Sequence, residues 1–99
     1  MSESYASGNW VVNRGREEEF VSRWVEFLEW TRASARGLRA AHLIQESDEP
    51  RHFISFASWD SAEAMQAWRS SAEFGKRLSA CRALCDEFRG SSYREAASV

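Results

Sequence analysis

Residues Phe53 to Phe74, FISFASWDSAEAMQAWRSSAEF, decide the fold of this chain. They read as a strand from Phe53 to Trp59, a helix start at Asp60-Ser61, a short helix to Arg69, and a second helix start at Ser70-Ser71. Asp60 with Glu63, and Ser70 with Glu73, have the spacing of a capping box. There an oxygen-bearing side chain takes a free backbone N–H and the acid three residues on returns the bond. The spacing therefore predicts two separate helices after one strand.

Upstream of this segment, YASGNWVVN (residues 5–13) alternates as a first strand. Gly15 punctuates it, and Glu17, Glu18 and Glu19 suit the positive end of a helix dipole. That helix is predicted to run to about Ala33, with Phe20, Val21, Trp24, Val25, Phe27 and Leu28 as its apolar stripe. At 100° per residue Trp30 points about 140° from the stripe centre, either as a partially exposed ring or as part of a contact with another chain. LRAAHLIQE (38–46) reads as the second strand, and Ser47-Asp48-Glu49-Pro50 as a turn into the third. Downstream, Phe74, Leu78, Cys81, Cys85 and Phe88 recur at helical spacing, which predicts a helix through Phe88. A fourth strand then falls in FRGSSYREA (88–96).

The predicted order is β-α-β-β-α-α-β, an α+β ferredoxin-like sandwich in which helices cover one face of a four-stranded antiparallel sheet. The strands are apolar on both faces. Phe53 and Trp59 oppose Ile54 and Phe56, Trp10 and Val12 oppose Val11, and Ala40 and Ile44 oppose Leu43. A sheet with a solvated face should alternate apolar with polar. The uncovered face therefore calls for a partner sheet, most simply a second copy of the chain.

With 99 residues there is one domain, residues 1–99 with a core of about 5–96. A net charge near −2 offers no general attraction to nucleic acid or anionic membrane. No apolar run approaches the roughly 18 residues needed to span a bilayer. MSESYASG lacks the regions of a signal peptide, so the expected location is the cytoplasm. Cys81 and Cys85, four apart on a predicted helix, stack along one face and read as buried thiols rather than a disulfide or zinc pair. Five tryptophans in so short a chain point to a core, pocket or interface built of rings.

Three motifs carry a family resemblance: Gly15-x-Glu17-x-x-Phe20, Asp48-x-Pro50, and the strand–helix–helix segment 53–74. In these the chain resembles the antibiotic biosynthesis monooxygenase (ABM) family, over nearly its whole length in element order. The resemblance implies a dimeric α+β barrel with two sheets face to face. It also implies oxygenation of a phenolic or polycyclic, polyketide-like substrate with no metal, flavin or nicotinamide. Trp59 stands where the family's active-site tryptophan does. Ser55 replaces the asparagine of the quinone-forming members; it can bond an oxygen but lacks an amide's reach.

Catalytic candidates on this reading are Trp59, His42 as a general base near neutral pH, and Arg77 or Arg82 at a pocket mouth to hold an enolate. Trp68, Phe74, Trp24, Ser55 and Asn9 are the substrate-binding candidates. The competing reading makes Trp59 core, the arginines solvated and His42 a hydrogen-bonded structural residue. A haem-degrading branch of the family resembles the chain at Trp68. It also needs an axial histidine nine residues on, where Arg77 stands, and no histidine follows His52. Asn9 is one position out of register with that branch's asparagine. Three functions remain: a cofactor-independent monooxygenase, a non-catalytic binder of a small apolar or aromatic ligand, and, remotely, a haem protein.

Overall fold

Along the first strand, β1 (Ser4–Val12), nearly every second residue is buried, the signature of a strand with one face in the core. The computed structural model describes residues 3–99. After β1 come α1 (Glu17–Ser34), β2 (Leu38–Glu46), β3 (Glu49–Trp59), α2 (Ala62–Arg69), α3 (Ala72–Arg82) and β4 (Cys85–Arg94). The strands form one antiparallel sheet in the order β2-β3-β1-β4. This is the expected α+β ferredoxin-like architecture, with β1 and β3 at its centre.

Register sorts the side chains. Trp10 lies opposite Phe53 on one side and Phe88 on the other, so the three rings share the face that the helices cover. Trp10 packs on Phe88 and Phe20 at centroid distances of 4.2 and 5.1 Å, and Phe20 on Phe53 at 5.1 Å. Each such ring contributes about 1.5–3 kcal/mol on burial. The opposite face carries Val11, His42, Ile44, His52, Ile54, Phe56 and Tyr93, and is open. There Ile44 is 52% exposed and Tyr93 58%.

Both helices start at the predicted pairs, but the cap is the second residue of each, not the first. Ser61 accepts the Ala64 N–H at 3.1 Å and Ser71 that of Phe74 at 3.2 Å. Glu63 and Glu73 then sit one position short of closing a reciprocal box, and act on the helix dipole instead. Asp60 is engaged elsewhere. Its N–H donates to the Gly37 carbonyl at 2.8 Å and its carboxylate pairs with Arg39. Gly37, at φ 92°, turns the chain from α1 into β2 in a conformation that favours glycine.

Two other boundaries are corrected. The hairpin between β2 and β3 turns on Ser47-Asp48 alone, and Glu49-Pro50 already belong to β3. Pro50 is tolerated there because the β1 ladder begins only at His52. The last helix stops at Arg82 rather than Phe88. Leu84 is buried in the core, its carbonyl takes the Asn13 N–H at 2.8 Å, and Cys85 pairs with Val12. Arg51 ties this corner by donating to the Val12 carbonyl at 2.7 Å and pairing with Asp86. Pairing with a central strand outweighed the helical spacing of Cys85 and Phe88. Phe88 meets the same core from the strand.

The direction of Trp30 is corrected, while its partial exposure is as expected. The buried residues of α1 are Phe20, Trp24, Phe27 and Thr31, while Val21 and Val25 are 38% and 41% exposed. The two valines drew the predicted stripe away from its true centre, from which Trp30 lies about 90° rather than 140°. Trp30 is half-buried beside Phe27, and the Arg77 guanidinium caps its ring 5.3 Å from the centroid.

Cys81 is fully buried and Cys85 half-buried at the start of β4; both are free thiols. Burial pushes Cys81 from 9.0 up to about 12 and Cys85 up to about 11. Between those values the unfolded chain loses a thiol proton that the folded chain keeps. This stabilisation is therefore complete below pH 9 and declines as pH rises toward 12. Urea midpoints from pH 8 to 11 should fall more steeply in the wild type than in Cys81→Ala.

Candidate functional site

Between the covered face of the sheet and the helices lies a cavity of about 50 Å³. Its walls are mostly aromatic or aliphatic: Trp10, Trp24, Phe27, Trp68, Phe74 and Phe88, with Leu28 and Leu78. Its floor is the middle of β1, β3 and β4, where Gly8 pairs with both Ser55 and Gly90. That volume admits a few water molecules. A ring system enters only if a wall side chain moves.

The floor depends on Gly8. The Trp10 indole crosses it, and its Nε1–H donates to Ser55 Oγ at 3.0 Å. A Cβ on residue 8 would come within 2.6 Å of Trp10 Nε1 and 2.9 Å of Ser55 Oγ, so any larger residue would dislodge the indole. Ser55 is buried, and its own O–H donates to nothing among the described residues, which leaves a donor at the cavity floor. The far wall is Trp68, whose Nε1–H donates to Thr31 Oγ1 at 2.9 Å. The Thr31 hydroxyl donates in turn to the Phe27 carbonyl at 2.9 Å. Phe74 meets Trp68 edge-on at 4.7 Å.

Of the residues singled out in the sequence, Trp24, Ser55, Trp68 and Phe74 line this cavity together. Trp59 does not. It is fully buried behind Trp68, with ring centroids 4.8 Å apart, and its Nε1–H has no hydrogen-bond partner. His42 is exposed on the open face beside Phe56, with the sheet between it and the cavity. That position rules out a general base for a ligand held there, because register sends His42 to the same side as Phe56. Asn9 also faces the open side, where its Oδ1 meets His52 Nε2 at 2.8 Å and Glu46 meets Nδ1 at 2.8 Å. Arg77 is held by Glu73 at 2.9 Å over Trp30. Arg82 lies 5.3 Å over the outer ring Phe88. Neither arginine lines the cavity.

The cation that does line it is Arg69, the last residue of α2. Its Nη2 donates to the Ser91 carbonyl at 3.1 Å and its Nη1 to Ser92 Oγ. In sequence it follows Trp68 directly, and helical geometry alone cannot tell which strand it reaches. Trp10, Phe27, Leu78 and Phe88 were legible only as core.

A ferredoxin-like α+β chain whose sheet and helices enclose an aromatic cavity is the class that this geometry defines. Residues 6–77 match the model of the antibiotic biosynthesis monooxygenase family, and the chain belongs to that family. Among solved structures it is similar to SnoaB, a cofactor-independent oxygenase from Streptomyces nogalater. The TM-score is 0.88 at 19% identity, covering 100% of this chain and 98% of that one. A conserved protein from Methanosarcina mazei superposes with TM-score 0.84 at 18% identity, covering 96% and 94%. No curated protein sequence matches.

Ser55→Ala should leave the Trp10 N–H buried without an acceptor. The expected loss is about 1–3 kcal/mol, read from urea unfolding. Removal of an exposed hydroxyl such as Ser79 should cost less than about 0.5 kcal/mol.

Proposed function

We propose that this chain is a cofactor-independent monooxygenase acting on a small aromatic, polyketide-like substrate bound in the cavity beneath α1, α2 and α3. The observation that carries the reading is an aromatic-lined cavity on the covered face with a free hydroxyl donor, Ser55, at its floor. Family membership supports the same reaction class. In such a reaction the ionised substrate supplies the electrons to dioxygen. The protein excludes water, presses the rings against Trp24 and Trp68, and holds the oxyanion. Trp59 would join only if Trp68 swung aside and exposed its unpartnered N–H. No histidine faces the chamber, so the substrate proton leaves to solvent or to a second oxygen of the ligand. That absence favours one rival, a non-catalytic binder of the same aromatic ligands.

The open face is proposed as the homodimer interface, sheet against sheet, with Ile44, Ile54 and Phe56 at its centre. Phe56→Lys should convert a dimer to an 11.4 kDa monomer in light scattering and lower its melting temperature at the same time. A wild-type monomer at micromolar concentration would remove this part of the proposal.

Oxygen uptake with an anthrone or a dihydroquinone, with no cofactor added, tests the activity. The expected rate rises with formation of the substrate anion, and Ser55→Ala lowers it about tenfold or more. An absence of uptake across such a panel, with a melting temperature that climbs with ligand concentration, would replace the enzyme by the binding protein.

A further inference from the structure

Arg69 is the charged side chain of the cavity wall, and no carboxylate among the described residues pairs with it. Its two hydrogen bonds end on neutral groups, the Ser91 carbonyl and the Ser92 hydroxyl. The carbonyl ends of α2 offer only the partial charge of a helix terminus. Partial burial draws the guanidinium below its usual pKa, as desolvation does to a cation without a counter-ion. Elsewhere in the chain Arg16, Arg23, Arg39, Arg51 and Arg77 each have an acidic partner. Arg14, Arg32, Arg36, Arg82, Arg89 and Arg94, which have none among the described residues, are exposed where Arg69 is half-buried. An uncompensated charge against apolar rings is what an anionic ligand would satisfy.

Register sets the reach. Arg69 bonds β4 at Ser91-Ser92, opposite Ser7 and Ala6 of β1, while Ser55 lies on β3 opposite Gly8. Two strand spacings across and two residues along separate these anchors by on the order of 10 Å. A fused two- or three-ring aromatic is of that length. We infer that Arg69 is a substrate-binding residue that selects the ionised form of a planar phenol or enol, its oxyanion on the guanidinium and its far edge toward the Ser55 hydroxyl. This rests on the cavity being the ligand site and not on oxygen being consumed there.

The probe is 4-nitrophenol, a single ring that ionises near neutral pH and whose phenolate is yellow, with 4-nitroanisole as its neutral counterpart. On the wild type the bound dye should ionise about one pH unit or more below the free dye, the effect of an opposite charge at close range. Arg69→Gln should abolish that shift and weaken phenolate binding about tenfold or more. Nitroanisole binding should change less than about twofold. Arg69→Lys, which keeps the charge but not the fork, should retain part of the shift. Were Arg69 only a strut between α2 and β4, Arg69→Gln would lower the melting temperature and leave the bound dye's ionisation unchanged. That result overturns the inference, as does a wild type that binds neither probe or binds nitroanisole as tightly as the phenolate. If Arg69→Gln does not fold, the wild-type shift and its partial retention in Arg69→Lys decide the matter. A dye shift without oxygen uptake on the anthrone panel would leave Arg69 in place and remove the oxygenase. Uptake undiminished in Arg69→Gln would do the reverse.

Discussion

The Trp10 indole crosses Gly8 and donates to the hydroxyl of Ser55 on the neighbouring strand. This contact joins the two central strands of the sheet at the level where the cavity opens. It needs the absence of a side chain at residue 8, a hydroxyl at residue 55, and the register that places the two opposite each other. Shifting β3 by one residue against β1 would turn Phe53 to the open face, away from Trp10, and open the core. The aromatic cluster of Phe20, Phe53 and Phe88 is assembled around this one ring.

The covered and open faces have different chemistry because the helices lie on one side only. On the covered side apolar burial leaves few polar groups, and each has a definite geometry: Ser55 at the floor, Thr31 behind Trp68, Arg69 at the β4 edge. The open side mixes Ile44, Ile54 and Phe56 with the Glu46–His52–Asn9 chain of hydrogen bonds. Titratable histidines are confined to that side. A reaction in the cavity must therefore manage its proton without imidazole, which places the chemical demand on the substrate's own acidity.

The strand–helix–helix order of residues 53–74 was legible because each break carries its own chemistry, a serine cap after a strand end. Family membership was legible in the same segment. Cap positions were read one residue early because Asp60 and Ser61, or Ser70 and Ser71, are equally good caps locally. The contacts of Asp60 with Gly37 and Arg39 separate the first pair, and the bond of the Ser70 hydroxyl to the Gln66 carbonyl separates the second. The end of α3 was misplaced because Cys85 and Phe88 fit a helical period as well as they fit a strand that meets the same core.

Of the site, the sequence by itself determined the ingredients: the rings Trp24, Trp68 and Phe74 and the hydroxyl of Ser55, all on faces that alternation or helical spacing assigns. Only the tertiary structure decided which charges meet those rings. Arg69 reaches β4 across a gap of more than twenty residues, while Arg77 is diverted to Glu73 and Trp30. Asn9 is turned away by the pairing of β1 with the distant β3, and His42 by the register of the β2–β3 hairpin. The physical reason is that local periodicity fixes which side of its own element a residue occupies, whereas the partner it meets depends on how separate elements pack.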